Sequence, residues 1–315
     1  MKNGRNPRSN NSCYPLIALC SLVLTFVLFP SCQTIRNSPE PFAQAIESVP
    51  LEPGALACVL VNVPGSRPIL DLISIPGLKQ KEAAFVLDRI NSMALAFYKE
   101  ESGRRIRLAA WGNIKPSQGR LAFGMNKNWK RTRCSEGHTY WYSKADNMSV
   151  ALGMKQAFLT QSPSGAFAEP CAHSSIIKLP EAGLDFMRGT VVFCWLDNPG
   201  AALERIFNEM NIPLSFPLEY VFISLFSAGD NAESGSYYKA LVRIQCSGES
   251  QARAFVKIIS IAAALNSNFS QSDARNQIMK LLFADAPVQD GKYISFSTPR
   301  LSAQDLAGLF NVFLL

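Results

Sequence analysis

Side chains able to do acid–base or nucleophilic chemistry are scarce in this sequence. The chain has two histidines, His138 and His173. A Ser-His-Asp arrangement would need one of them as its base, and neither stands in a motif that favours this role. The sequence contains no Gly-x-Ser-x-Gly turn, no phosphate-binding glycine loop and no zinc-protease histidine pair. We therefore expect a protein that is not an enzyme and that needs no cofactor.

Each histidine lies close to a cysteine of a polar stretch, as Cys134-x3-His138 and Cys171-x-His173. Four such ligands suit tetrahedral zinc, but the second pair is too close for easy chelation by both side chains, so we expect no metal site. In an oxidising compartment, Cys134 and Cys171 could instead form a disulfide. Buried thiols are expected at the cysteines of apolar, strand-like segments, which are Cys58, Cys194 and Cys246.

A second candidate site is a run of cations with one aromatic residue. It consists of Lys127, Trp129, Lys130, Arg131 and Arg133. A charge run is more often a solvated face than a site. As a binding surface, it would contact an envelope protein with acidic groups, an anionic glycan or an anionic lipid. Arg104, Arg105 and Arg107 could extend this surface across a sheet.

The N-terminal sequence indicates that the protein is exported. The apolar run from Leu16 to Phe29 is 14 residues long, and it follows Lys2, Arg5 and Arg8 without an acidic residue. A membrane-spanning helix needs roughly 20 apolar residues, so this run is too short to cross. A basic start and a short apolar run before a small residue are typical of a cleaved signal peptide.

The residues at the end of this run are Leu28, Phe29, Pro30, Ser31 and Cys32. This segment resembles the lipobox of bacterial lipoprotein precursors, in the looser form found in spirochaetes. Ser31 and Cys32 match the usual pattern, whereas Phe29 takes the place of the usual Leu and Pro30 is unusual. The resemblance implies that Cys32 carries a diacylglycerol and becomes an acylated N-terminus. Several acyl chains would then hold the protein stably at the inner or the outer membrane.

Composition agrees with a folded globular protein. The chain has 315 residues, of which 48% are hydrophobic and 17% charged, proportions that are ordinary for globular proteins. The formal charge of +7 includes three cations of the signal peptide. The remaining charge is too small to indicate nucleic acid binding. It is compatible with a position near anionic lipid heads.

Short segments of the mature region recur in the same order, which indicates an internal duplication. Ala57–Gly65 resembles Phe193–Gly200, and Glu101–Gly103 resembles Glu233–Gly235. Further pairs are Ile75-Pro76 with Ile212-Pro213, Ser117–Arg120 with Ser250–Arg253, and Glu136–Ser143 with Asp290–Ser297. If the copies are homologous, Cys58 and Cys194 should occupy equivalent strands and face equivalent cores.

The hydrophobic periodicity gives each copy the order β-α-β-β-α-β. We therefore predict an α+β protein with two tandem ferredoxin-like (βαββαβ) modules. The expected parts are a signal peptide at 1–31, a lipidated N-terminus and tether at 32–53, a first module at 54–162, a linker at 163–188 and a second module at 189–315. In the second copy, we expect strands over Thr190–Leu196, Tyr220–Phe226, Tyr237–Cys246 and Lys292–Ser297, and helices from Pro199, Glu249 and Ser302.

The sequence thus indicates an exported, lipid-anchored protein that acts by binding or scaffolding at the cell envelope. One alternative is a carrier that holds an apolar or lipid-like ligand between the two modules. A further alternative is an envelope enzyme whose site the sequence hides. A deep apolar cleft would favour the carrier, an exposed patch the scaffold, and convergent buried carboxylates the enzyme.

Overall fold

The structure is a computed structural model of the whole chain. It describes residues 54–314, with gaps at 74–79, 81–83, 85–86, 101–102, 134–138, 145–146, 154, 162–180, 201–217, 232–234 and 267–284. The predicted signal peptide, Cys32 and the tether lie outside the described residues. Among the described residues, no helix has the length and apolar composition that crossing a membrane requires.

The described residues form thirteen strands and five helices. The strands are β1 Ala57–Asn62, β2 Ile90–Glu100, β3 Gly103–Gly112, β4 Lys130–Arg133, β5 Thr139–Ser143, β6 Met148–Gly153, β7 Gln156–Gln161, β8 Val192–Asp197, β9 Leu218–Asn231, β10 Gly235–Cys246, β11 Val288–Asp290, β12 Tyr293–Ser297 and β13 Leu301–Ser302. The helices are α1 Val63–Leu70, α2 Pro116–Met125, α3 Glu181–Met187, α4 Glu249–Asn266 and α5 Ala303–Leu314.

The strands make one continuous antiparallel sheet. Its order is β11-β12-β10-β9-β8-β1-β2-β3-β7-β6-β5-β4. The short strand β13 pairs with Tyr237 and Tyr238 near the start of β10. The two halves of the chain meet where β1 pairs with β8, with Cys58 opposite Trp195. The α+β class is therefore confirmed, as a mixed protein built on a largely antiparallel sheet.

The tandem ferredoxin-like modules are not confirmed. In a split βαβ unit the strand after the first helix does not pair with the first strand, because a later strand lies between them. Here β1 pairs directly with β2, and β8 pairs directly with β9. In each half the first three strands thus form a meander, β1-β2-β3 or β8-β9-β10. The strand that follows the next helix, β4 or β11, lies at the outer end of the sheet, and the chain then returns from there towards the meander. The β1–β8 ladder joins the halves edge to edge.

Some of the residue pairs that the proposed duplication relates occupy equivalent places in the two halves, and one pair does not. Gly103 and Gly235 each begin the second strand of a hairpin, and Arg120 and Arg253 lie in equivalent helices, α2 and α4. Cys58 and Cys194 do lie on the equivalent strands β1 and β8. However, Cys194 pairs with Val59 rather than with Cys58. Since neighbouring residues of a strand point to opposite faces, the two thiols face opposite sides of the sheet, contrary to the prediction.

Helices cover both faces of the sheet. On one face, α2 contributes Phe123 to a core with β3, β5, β6 and β7, and α4 contributes Phe255 and Ile259 to a core with β9, β10 and β12. On the opposite face, the short helix α3 contributes Phe186 and Met187 to a core with β1, β2, β8 and β9. This helix lies within the segment 163–188 that the sequence suggested as a linker.

Helix α1 belongs to the first half of the chain and packs against both halves. Ile69 shares a core with Leu225, Tyr238 and Leu306. The Ser66 hydroxyl donates a hydrogen bond of 3.0 Å to the carbonyl of Val191, just before β8. The Tyr238 hydroxyl donates to the carbonyl of Gly65 at 3.3 Å. The two halves therefore share a core as well as a sheet.

Most local predictions of the second half are confirmed. Strand β10 buries Ala240, Val242, Ile244 and Cys246 on one face, as its alternation predicts. Helix α4 begins at Glu249 as expected. At the start of α5, the Ser302 hydroxyl accepts from the backbone N–H of Asp305 at 3.1 Å. The sequence also predicts a helix around Ala274–Phe283 and one over Lys79–Asn91. The first of these lies outside the described residues, as do most of the second and most of the helix predicted from Pro199.

Candidate anion-binding edge

The basic run forms the last strand at one end of the sheet. Strand β4 consists of Lys130, Arg131, Thr132 and Arg133, and among the described strands it pairs with β5 alone. Arg131 lies opposite Trp141, and Arg133 lies opposite Thr139. Because directly paired residues point to the same face, Arg131 shares the face of Trp141, while Lys130 points to the other. The strand thus presents cations on both faces.

Trp129 has a different environment from the cations beside it. Its residue is only 7% exposed and belongs to the core of the first half. Its ring packs edge-on against Phe123, with 4.8 Å between centroids, and Phe123 stacks on Trp141 at 5.4 Å. Such aromatic pairs contribute about 0.5–1.5 kcal/mol each beyond their burial. The three rings therefore fix the position of α2 above β4 and β5.

A cleft of about 370 Å³ opens between α2 and the sheet edge. Its lining residues are Arg120, Phe123, Gly124, Trp129, Arg131 and Trp141. Both arginines are exposed, whereas Phe123 is completely buried and Trp141 is 3% exposed. The cleft therefore has two guanidinium groups beside an aromatic floor whose rings are mostly covered.

The absence of a side chain at Gly124 helps to keep this cleft open. A Cβ atom placed there would meet no heavy atom within 4 Å. Because Gly weakens a helix interior by roughly 0.8–1 kcal/mol relative to Ala, its presence in α2 has a cost for helix stability. A side chain added at this position would therefore enter open space at the cleft without striking a neighbouring element.

The cations of this edge lack ionic partners in the described part of the chain. With the residues that the structure describes, no ion pair or hydrogen bond is formed by the side chains of Arg120, Lys127, Lys130, Arg131 or Arg133. Some cations elsewhere are paired. Arg253 contacts Glu249 at 2.8 Å, and Arg67 contacts Asp71 at 2.7 Å. Unpaired like charges close together repel one another, and an anion bound between them relieves that repulsion.

The other arginines that the sequence placed near this run lie away from it. Strand β3 carries Arg105 and Arg107 and is separated from β4 by β7, β6 and β5. Arg107 is 4% exposed, and Arg105 lies over the ring of Tyr98 at 4.6 Å. Neither therefore extends the basic edge. The residue that does join it, Arg120, was noted in the sequence only as a marker of the duplication.

The remaining candidate residues are not brought together by the described structure. Cys32, Cys134 and Cys171 lie outside the described residues, as do both histidines. The lipid attachment and the disulfide therefore stay predictions. Within the described ranges, no group of three or more His, Cys, Asp or Glu side chains is arranged to hold a metal ion.

The described cysteines are thiols that stay protonated at neutral pH. Cys58 and Cys246 are buried as predicted, whereas Cys194 is half-buried. Burial raises the pKa of Cys194 to about 12 and that of Cys246 to about 11. Burial also raises the pKa of Cys58 well above its ordinary value, and the nearby Cys194 adds to this shift. Because the thiolate is the nucleophile, none of the three is activated at neutral pH.

Comparison with known proteins gives a fold but no family. No protein-family model matches the chain, and no curated protein matches it. Crystal form III of TP0453 has a similar structure, with a TM-score of 0.56 and 16% identity over 87% of this chain and 99% of that chain. Crystal form IV gives a TM-score of 0.56 at 17% identity, and covers 87% and 97% of the two chains. Crystal form I gives a TM-score of 0.54 at 15% identity, and covers 89% of this chain and 100% of that chain. The chain therefore shares the overall fold of TP0453.

Proposed function

We propose that this protein is an exported lipoprotein that is held at the cell envelope by acyl chains on Cys32 and that binds an anionic partner there. The observation that carries the binding role is the group of unpaired cations around the cleft of β4 and α2. Guanidinium and ammonium groups are the usual protein ligands of carboxylates and phosphates. Anionic glycans, anionic lipids and acidic envelope proteins all carry such groups.

The tether predicted over residues 33–53 suits this role. As a flexible coil, a segment of this length spans on the order of 25 Å. The described fold begins directly after it, at Gly54. The tether would let the basic edge reach partners beside the membrane without fixing its orientation. Either the inner or the outer membrane is compatible with this arrangement.

The residues gathered at the basic edge favour binding over catalysis. They are cations and aromatic rings, which hold an anion but supply neither a nucleophile nor a base at neutral pH. The alternative of a carrier would place its ligand between the two halves. At that junction β1 pairs with β8 along five residue pairs, so backbone hydrogen bonds occupy the space between these strands.

We also propose that the two halves are diverged copies of one β-α-β-β unit. Cys58 and Trp195 lie opposite each other where the two halves meet. In the row of paired residues that runs across the sheet through them, Arg107 lies two strands beyond Cys58 and Arg243 lies two strands beyond Trp195. The sheet is therefore symmetric about this pair. In this proposal the copies have differentiated, because the cleft with two arginines and no carboxylate in its lining is formed by residues of the first half. Binding would then be a property of the first half.

The test measures binding to isolated envelopes with a chain that lacks residues 1–32 and therefore lacks the acyl anchor. One variant carries Gln at the cations of the edge, which are Arg120, Lys127, Lys130, Arg131 and Arg133. A matched control carries Gln at five other exposed cations, which are Arg188, Lys239, Arg253, Lys257 and Arg300. We expect the edge variant to lose co-sedimentation and the control to keep it. Equal binding by both variants would contradict the proposal.

A further inference from the structure

We infer that the cleft between α2 and β4 is a binding site for a phosphate ester of a small polar group. This inference rests on the proposed function, because it assigns a ligand to the same basic edge. The cleft combines two exposed guanidiniums, Arg120 and Arg131, with a volume of about 370 Å³. Sites for small molecules typically range from about 300 to 1,000 Å³, so the cleft suits a ligand at the small end of this range.

The charge of the cleft selects an anion. Its lining contains no carboxylate, and neither guanidinium forms an ion pair with a described residue. Arginine presents planar, paired N–H donors that match the oxygens of a phosphate. A phosphate dianion can accept from both side chains at once, whereas a carboxylate offers two oxygens and one charge. Two arginines in the lining of one cleft therefore favour a phosphate.

The floor of the cleft argues for a small polar carrier group rather than an acyl chain. Phe123 has no exposed surface, and Trp141 and Trp129 are 3% and 7% exposed. A long hydrocarbon chain gains free energy in proportion to the apolar area that it covers, and little is offered here. The edges of the two indoles can still contact a sugar or glycerol group. Either source of the phosphate, a phosphorylated glycan or a lipid headgroup that ends in a phosphomonoester, has this chemistry.

The second half of the chain provides an internal comparison. Arg253 occupies in α4 the position that Arg120 occupies in α2, but it forms an ion pair of 2.8 Å with Glu249. The strand that follows α4 is β11, whose residues are Val288, Gln289 and Asp290. Instead of a second cation, that strand therefore offers an acidic side chain. Arg253 is therefore a suitable control position, because it has the same place in its helix as Arg120 but is already paired with a carboxylate.

The test uses the mature, acylated chain in a non-ionic detergent and titrates it calorimetrically. The probes are glucose 1-phosphate, glycerol 1-phosphate, inorganic phosphate and glucose. We expect both esters to bind more tightly than inorganic phosphate, and glucose to show no binding. Tighter binding of the sugar phosphate would identify a glycan source, and tighter binding of the glycerol phosphate a lipid headgroup. Equal affinity for the esters and inorganic phosphate would overturn the inference, as would an absence of ester binding.

Variants locate the site. Arg120→Gln and Arg131→Gln should each weaken ester binding about tenfold, because each removes a charged hydrogen bond. Arg253→Gln should leave the affinity unchanged. Gly124→Phe should abolish binding by filling the cleft while leaving the thermal midpoint close to that of the wild type, because the added side chain has room. Ester binding that survives Gly124→Phe and both arginine variants would place the site elsewhere and refute the inference.

Spectroscopy reports on the floor of the cleft directly. The chain has four tryptophans, and labelling with 5-fluorotryptophan gives each one a separate signal. Ester binding should shift the signals of Trp129 and Trp141 and leave that of Trp195 in place. A shift of the Trp195 signal alone would contradict the inference. If the esters fail to bind while envelope binding still depends on the five edge cations, the cleft assignment is wrong and the proposed function stands.

Discussion

Arg131 lies directly opposite Trp141 across the β4–β5 ladder, and both side chains line one cleft with Arg120 of α2. Three elements that are separated in sequence thus combine a cation from a helix, a cation from an edge strand and an aromatic floor. The geometry depends on the register of a single ladder. A shift by one residue would send Arg131 to the opposite face of the sheet.

Phe123 is expected to hold α2 over the sheet edge. Replacing it with Ala removes a completely buried ring that contacts both Trp129 and Trp141. We predict a loss of about 3–5 kcal/mol in the free energy of unfolding, measured by urea denaturation. Leu121→Ala on the same helix is the control, because Leu121 is 52% exposed. It should change stability by no more than about 0.5 kcal/mol. Similar losses in the two variants would contradict the packing described for α2.

The buried thiols should make stability depend on pH in the alkaline range. In the unfolded chain a thiol ionises near pH 8.5, whereas burial raises the pKa of Cys194 to about 12 in the folded state. The folded state therefore holds the proton more tightly, and this contribution is complete below the unfolded pKa. It is lost as the pH rises from about 8.5 towards the folded pKa.

Cys194→Ala isolates this contribution from that of other titrating groups. The free energy of unfolding should fall less steeply between about pH 8 and pH 10 in the variant than in the wild type, because the variant lacks the shifted thiol. Parallel pH profiles would show that Cys194 does not have the raised pKa. Alkylation of the native wild type at neutral pH should also be slow at Cys58 and Cys246, and fast once urea is added.

Cys32 should be the site of lipid attachment. Cys32→Ala should abolish acylation, because no other cysteine stands at the end of the signal sequence. Mass analysis of the mature N-terminus from cells grown with labelled fatty acid tests this. A wild-type protein that begins at another residue and keeps an unmodified Cys32 would refute the lipoprotein assignment. Cys20→Ala serves as the control and should leave acylation intact.

Local patterns in the sequence predict individual elements well. The alternation of Tyr237–Cys246 and the helical stripe after Glu249 are each set by residues that are neighbours in the chain. Helix α1 is an exception, because the sequence predicts a strand over Ala55–Val63, whereas the strand ends at Asn62 and the helix begins at Val63. In the structure, the Asn62 side chain caps the helix by accepting from the N–H of Gly65, and Pro64 lies in the first turn. Proline is common at that position.

The sheet order could not be predicted because it depends on contacts distant in sequence. The order β-α-β-β-α-β is compatible with both a split βαβ unit and the order found here, in which the first three strands are neighbours and the strand after the second helix lies at the edge of the sheet. The apolar patterns of the strands are the same in each. The pairing of β1 with β8 joins Cys58 to Trp195, which no local pattern encodes. The same limit applies to the site. The basic run was visible in the sequence, but its neighbours Arg120 and Trp141 required the fold.

Salt dependence of envelope binding tests the central claim most directly. The chain that lacks residues 1–32 is bound to isolated envelopes at salt concentrations from about 0.05 to about 0.5 M, across which exposed charges become increasingly screened. Binding through the five edge cations predicts that the affinity of the parent chain falls steadily with salt and that the edge variant is weak at every concentration. The matched five-cation control should follow the parent chain. An affinity of the parent chain that does not change with salt, or an edge variant that follows the same curve, would contradict the account.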